Sequence, residues 1–353
     1  MLIGALIVCS GLAGALIGAL IQGTGSGGAS GLAPTPSNAT SGSCDTRRIA
    51  REVLPAVVTI SAKAGAEGGT GSGEIIAADG VVVTNDHVIS VAADGGTIEV
   101  ILSDGVTKPA ELVGRDPRTD LAVLRVSTRS DLPTVEFGDS ASLSVGEPVV
   151  ALGAPLGLSG TVTSGIVSAL GRDIPVPTGD GGQTVLAGTI QTDASINPGN
   201  SGGALVDCTG GLVGVNTAIL TVPNEAGHGG GGNVGIGFAV PAETVQSVTS
   251  QLLDNGRVAH PTFGMATTPI PESTAEEFGT PPGLFVQSVT KGGPADLAGL
   301  QRGDIISTID GQRATQPTVV LHVLATSSVG DQVEIEYYRE GQAHSADLTL
   351  AAD

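Results

Sequence analysis

The sequence predicts a chain dominated by β structure: an antiparallel barrel or sandwich, then a small mixed α/β domain, with an apolar helix at the N-terminus. Three observations predict it. Glycine supplies 55 of 353 residues against two tyrosines, five phenylalanines and no tryptophan, which favours tight turns and small-residue packing over long helical bundles. From Arg47 onward, short β-rich runs recur roughly every ten residues between turn signals, the spacing of barrels and sandwiches. Near residue 242 the apolar period changes to that of a helix.

Taken in order, the first 22 residues carry no charge, about one membrane span at 1.5 Å rise per residue. A retained transmembrane anchor is expected over a cleaved signal peptide, because the basic region that a signal peptide needs is missing. The missing basic flank also points to a natural start further upstream. Residues 23–43 form a Gly/Ser/Pro tether. A domain-sized body follows over 44–256. Its strands are read in AVVTISA, GEIIAADGVVVTNDHVI, TIEVILSDG, DLAVLRVS, GEPVVALGAP, GTVTSGIVSAL, TIQTDASI, GGALVD and GLVGVNTAI. In PAETVQSVTSQLLDNG, Val245, Val248 and Leu252 share one helical face and Gly256 stops the helix. Residues 257–353 mix short strands with helical pieces around Pro294–Ala298 and Thr318–Ala325, enough for one small domain.

A formal charge of −20, with 15 Lys plus Arg and none before Arg47, leaves no basic surface to release counterions from nucleic acid. No HExxH motif or Cys/His cluster is present, so no metal or cofactor is implied. Cys9 lies in the apolar segment. Cys44 and Cys208 leave two readings open, a disulfide outside the cytosol or two unrelated small hydrophobes.

Nucleophilic serine catalysis needs a serine on an exposed turn, an imidazole, a buried carboxylate to orient it, and backbone donors for the oxyanion. Of five histidines, only His87 ends a strongly apolar strand, in VVVTNDHVIS. His228 lies in a glycine run, His260 precedes a proline in the linker, and His322 and His344 fall in the C-terminal domain. Asp120, in DPRTDLAVLRV, stands where a loop enters a buried strand. Ser201 sits in PGNSGG, where Gly199, Gly202 and Gly203 relieve crowding and let the Gly199 and Ser201 amides face one developing oxyanion. Taken singly, these are a structural histidine, a turn-forming aspartate and a turn serine. Together, in the order His, Asp, Ser, they outweigh that reading.

TNDHVI, RTDLAVLRV, QTDASINPGNSGGALVD, NVGIGFAVP and GGPADLAGLQRGDIISTIDGQ resemble the HtrA (Deg) family of membrane-associated or periplasmic serine proteases, over nearly all of 45–353. The resemblance implies a chymotrypsin-like pair of six-stranded barrels with the catalytic set in the cleft, then a PDZ domain. It implies Ser201 as nucleophile, His87 as general base then acid, and Asp120 as the group that holds the imidazole tautomer. It places the S1 pocket around Ser195, Asn216, Thr217 and Ala218, bordered by the loop ILTVPNEAGHGGGGNVG. It also implies that Arg172 acts in a sensor loop, and that Phe263, Gly264 and Met265 form the loop that receives a peptide's C-terminal carboxylate. The expected partners are unfolded or regulatory protein substrates, C-terminal peptides, a membrane and two further copies in a homotrimer. Family trimers are commonly held by aromatics near the protease's N-terminus, yet the first aromatic here is Phe137.

Ser195 stands six residues before the nucleophile, where trypsin-like enzymes place a carboxylate, so small or branched apolar P1 residues are expected rather than Arg or Lys. Asn200 precedes the nucleophile where digestive relatives have Asp. A neutral amide cannot pair with a freshly cut amino terminus, so regulation by loop movement is expected instead of zymogen cleavage. Glu74, in GTGSGEII, replaces a residue that is usually apolar. The rival readings are a protease-fold chaperone or scaffold, against which the complete His87–Asp120–Ser201 set argues, and an adaptor acting through the PDZ domain alone.

Overall fold

The computed structural model describes residues 44–128, 131–154, 160–177, 183–219, 234–278 and 280–353. The predicted anchor, the tether and Cys9 lie outside the described residues. Among the described residues no helix is long and apolar enough to cross a membrane.

A short helix, α1 (Thr46–Val53), capped by the Asp45 side chain, leads into the first barrel. Its strands are β1 (Val57–Ala64), β2 (Glu67–Ala77), β3 (Val81–Thr84), β4 (Thr97–Ile101), β5 (Thr107–Asp116) and β6 (Leu121–Val126), with the short helix α2 (Asp86–Ile89) after β3. They close in the order β1-β2-β3-β6-β5-β4. Val58, Ile60, Ile75, Val82, Val100, Leu124 and their neighbours fill the inside. The second barrel holds β7 (Pro148–Gly153), β8 (Thr161–Pro177), β9 (Gln183–Thr192), β10 (Ala204–Val206), β11 (Leu212–Ile219) and β12 (Gly237–Pro241), closed as β10-β11-β12-β9-β8-β7. Closure leaves neither sheet an open edge, and a barrel of six strands is filled by its own side chains. Two apolar clusters weld the barrels. One joins Val57 to Val150, Leu152, Ala204 and Val206, and the other joins Val83, Leu121 and Val123 to Val215 and Val240.

The helix α3 (Ala242–Asn255) buries Val245, Val248 and Leu252 in that second cluster and ends at Gly256, whose φ of +70° makes the left-handed cap. The helix is therefore part of the protease body as well as the lead into the next domain. That domain contains β13 (Pro261–Thr262), β14 (Met265–Ile270), α4 (Glu272–Phe278), β15 (Gly283–Val289), α5 (Pro294–Leu297), β16 (Ile305–Ile309), β17 (Gln312–Arg313), α6 (Pro317–Thr326), β18 (Gln332–Arg339), β19 (Gln342–Thr349) and β20 (Ala351–Ala352). Its main sheet runs β14-β15-β16-β18-β19, so β14 is an edge strand. The sequence shows α5 and α6 but not β5, half of whose TKPAELVGRD is polar, nor the short helices α1, α2 and α4; His87, expected at the end of a strand, lies on α2.

A disulfide joins Cys44 to Cys208, which selects the first of the two readings for those cysteines. It ties the start of the described chain to the turn after β10.

Candidate active site

β3 and β6 pair in antiparallel register, Thr84 opposite Ala122. The chain leaving β3 and the chain entering β6 therefore emerge side by side. Asn85 Nδ2 and the Asp86 amide both donate to the Asp120 carbonyl, at 2.9 and 3.1 Å. Asp120 takes a φ of +56°, a conformation that costs a non-glycine residue about 1–2 kcal/mol and persists only where the surroundings impose it. In return its carboxylate faces His87. Oδ1 accepts from the His87 amide at 3.0 Å, and Nδ1 lies 3.0 Å from Oδ1 and 2.9 Å from Oδ2. This holds the proton on Nδ1 and leaves Nε2 free to accept one.

Arg115 closes a bidentate pair with the buried Asp86, at 2.5 and 2.7 Å, under the same helix. Burial pulls the His87 pKa down. The hydrogen bond to Asp120, its charge, and the charge of Asp86 outweigh that, so the pKa lies above the ordinary imidazole value.

Ser201 is on the turn before β10. Gly199 adopts φ +99° and Gly202 φ +81°. A Cβ at Gly202 would lie 2.2 Å from the Ser72 carbonyl oxygen, so the turn requires glycine there for space as well as for conformation. Among the described residues neither the Gly199 nor the Ser201 amide finds an acceptor. Ser201 Oγ donates to the Thr217 carbonyl at 3.3 Å and, among the described residues, makes no hydrogen bond with the His87 ring.

The other expected site residues are placed as follows. Ser195 is exposed, and its carbonyl accepts from Thr163 Oγ1 at 2.9 Å. Asn216 and Thr217, expected at S1, have their side chains engaged elsewhere. Asn216 is fully buried and donates to the Ala204 carbonyl at 2.9 Å. Thr217 Oγ1 donates to Asp120 Oδ2, a fourth hold on the carboxylate that the sequence reading missed. The backbone of Ala218 pairs with Phe238. Residues 220–233, most of the loop expected to border S1, lie outside the described residues.

Arg172 is exposed on the β8–β9 hairpin and forms no ion pair among the described residues. The neighbouring Asp173 instead meets His322 of α6 at 2.8 Å, linking the hairpin to the C-terminal domain. A further bridge joins His260 to Asp116 at 2.7 Å. Phe263 turns into the C-terminal domain's core. Gly264, at φ +66°, donates its amide to Thr262 Oγ1 at 3.1 Å. Met265 opens the edge strand β14, and α6 lies against that strand.

Residues 71–215 match the trypsin-like peptidase domain family and residues 244–350 the PDZ domain family. A probable periplasmic serine endoprotease, DegP-like, of Bartonella henselae is 42% identical over 79% of this chain and 52% of its own length. The serine protease PepD of Mycobacterium tuberculosis is 35% identical over 86% of this chain and 65% of its own. The chain thus spans about half the length of the DegP-like relatives it matches. The solved HtrA-type protease AlgW with a decapeptide is 32% identical, covers 87% of this chain and 98% of its own, and superposes at a TM-score of 0.62. With that solved relative covered almost end to end, the chain belongs to the HtrA-type serine proteases.

Proposed function

We propose that this chain is an extracytoplasmic serine endopeptidase that cleaves misfolded or regulatory proteins after small or apolar residues, under control of its PDZ domain. One observation carries the reading: Thr217 bonds the Asp120 carboxylate that holds His87 with its hydroxyl and accepts from Ser201 Oγ at its carbonyl, and among the described residues the Gly199 and Ser201 amides find no acceptor. In the reaction Ser201 Oγ leaves the Thr217 carbonyl, gives its proton to His87 Nε2 and attacks the scissile carbonyl. The oxyanion takes the two free amides. His87 then protonates the leaving amine, and a water deprotonated by His87 releases the acyl group from Ser201.

The PDZ half of the proposal draws on the exposed edge of β14 beside α6, where a C-terminal peptide adds as a strand with its carboxylate near Phe263, Gly264 and Met265. That the relative AlgW has been solved with a tripeptide and with a decapeptide supports peptide binding by this chain. Asp173 and His322 offer a route from α6 to the hairpin that carries Arg172. The uncharged residues 1–22 and the tether support membrane attachment, and the periplasmic relatives support an extracytoplasmic site. A homotrimer is proposed on the family resemblance alone.

The test is degradation of casein by the wild type and by Ser201→Ala, with and without added C-terminal peptides. Loss confined to Ser201→Ala is expected. Equal degradation by both, or none by either under any condition, refutes the enzyme.

A further inference from the structure

The free amides of Gly199 and Ser201 pose a mechanical question, because glycine at 199 could turn its peptide groups over at little intrinsic cost. The answer lies in the other barrel. Ser72, on β2, is fully buried and spends every polar atom it has. Its Oγ donates to the Gly199 carbonyl at 2.6 Å and accepts from the Ala154 amide at 2.8 Å. Its own amide donates to the Ser201 carbonyl at 2.8 Å, and its carbonyl accepts from Thr84 Oγ1 at 2.7 Å. The approach is close because β2 reads Gly-Ser-Gly there. A Cβ on Gly71 would stand 2.8 Å from the Ser201 carbonyl oxygen.

These bonds fix the peptide planes on both sides of the one that carries the Ser201 amide. The 199–200 plane is held at its carbonyl by Ser72 Oγ and at its N–H by the Asn197 carbonyl, 2.9 Å away. The 201–202 plane is held at its carbonyl by the Ser72 amide and at its N–H by the Asn216 carbonyl, 2.8 Å away. The 200–201 plane between them is held at its carbonyl by the Gly203 amide, 2.9 Å away, which sets the Ser201 N–H on the opposite side, and turning the 199–200 peptide breaks the Ser72 bond.

We infer that Ser72 is a positioning residue for the oxyanion site, restraining the backbone on either side of the Ser201 amide through the carbonyls of Gly199 and Ser201. The inference rests on the protease reading above. Ser72 touches no substrate, and its hydroxyl is needed because no backbone group of β2 reaches the Gly199 carbonyl in its place.

The test is Ser72→Ala in the full chain, beside Thr59→Val. The latter removes a comparable buried bond between the barrels, Thr59 Oγ1 to the Ala154 carbonyl at 2.5 Å, without touching the nucleophile turn. One oxyanion donor is worth about 10²–10³ in kcat. Misplacing donors rather than deleting one is expected to lower kcat roughly 10- to 100-fold on an apolar-P1 peptide, with KM held within about two-fold. Thr59→Val is expected to lose stability and keep kcat. Equal kcat losses in both variants reduce Ser72 to a structural bond, and an unchanged kcat in Ser72→Ala overturns the inference outright.

If Ser72→Ala fails to fold, Ser72→Cys, with similar volume and a weak donor, undergoes the same measurement. Crystal structures of the wild type and the Ser72 variant decide the matter even for an inert wild type, which would sink only the protease reading. A turned 199–200 peptide in the variant is expected, and an unmoved 199–201 backbone refutes the role of Ser72.

Discussion

Removing the carboxylate of Glu74 should make the protein more stable, and increasingly so as the pH rises. Glu74 sits on β2 between Val57 and Val83, which belong to the two clusters that weld the barrels. Its neighbours Gly73 and Ile75 face the interior of the first barrel, so alternation along the strand turns Glu74 toward the other barrel. It is fully buried, and neither carboxyl oxygen has a hydrogen-bond partner among the described residues.

Burial pushes its pKa well above the ordinary glutamate value, and its own backbone amide pulls back by less. The sign follows. Between the ordinary and the raised value the folded chain holds a proton that the unfolded chain has lost, so stability falls as the pH climbs through that window. Below it both states are protonated and nothing is lost. Glu74→Gln keeps the shape and removes the titration. Its melting temperature should match the wild type near pH 4 and exceed it by a margin that widens toward pH 8. Glu74→Leu also removes the two unpartnered oxygens, a gain of about 1–3 kcal/mol. At roughly 2–4 °C per kcal/mol for a body of this size, that is several degrees. Calorimetric melting of the three proteins from pH 4 to 9 is the assay. Parallel curves for wild type and Glu74→Gln, or a less stable Glu74→Leu at pH 8, refute the reasoning.

Three further outcomes are expected. Because Asp120 and Asp86 raise the His87 pKa and only neutral imidazole accepts the serine proton, the acid limb of the pH–rate profile should lie above the ordinary imidazole range. Asp120→Asn should move it to lower pH and cut kcat by about 10⁴; an unmoved limb counts against the assignment. Gly202→Ala forces a side chain into φ +81° and against the Ser72 carbonyl. It should abolish turnover and cost more than about 2 kcal/mol in denaturant unfolding, and wild-type values for both would contradict the packing. Asp173→Ala, which breaks the contact with His322, should lower peptide-stimulated proteolysis more than basal proteolysis. Arg172→Ala measured beside it tells which residue of the hairpin carries the signal, and equal losses of both activities in both variants remove the hairpin from regulation.

The parts of the site legible in the sequence are those whose chemistry demands a residue type at a local feature. A nucleophile needs glycines around it to make room, so Ser201, the proposed nucleophile, stands out in PGNSGG. An orienting carboxylate needs a buried strand to stand on, and Asp120 precedes LAVLRV. The anchor helix of the protease body, α3, was legible because three apolar residues at helical spacing meet one cluster. β5 was not: it is a barrel strand, yet its sequence TKPAELVGRD alternates too weakly, with most of its side chains half-exposed or exposed.

The residues that were missed share one property: each acts on a group that is distant in the chain and generic in type. Ser72 works on two backbone carbonyls, at Gly199 and Ser201, and any hydroxyl in a buried strand looks the same in one dimension. Thr217, which the resemblance places at the specificity pocket, also completes the shell of Asp120 with its hydroxyl, 97 residues away. Asp173 was passed over for Arg172, because the partner that distinguishes them, His322, belongs to another domain. Catalytic identity is thus written locally, while the restraints that make it competent are written in pairings between barrels and domains. The substitutions that separate the two are those that spare His87, Asp120 and Ser201 and break a contact to a backbone carbonyl, which makes Ser72→Ala more informative about this site than another change within the triad.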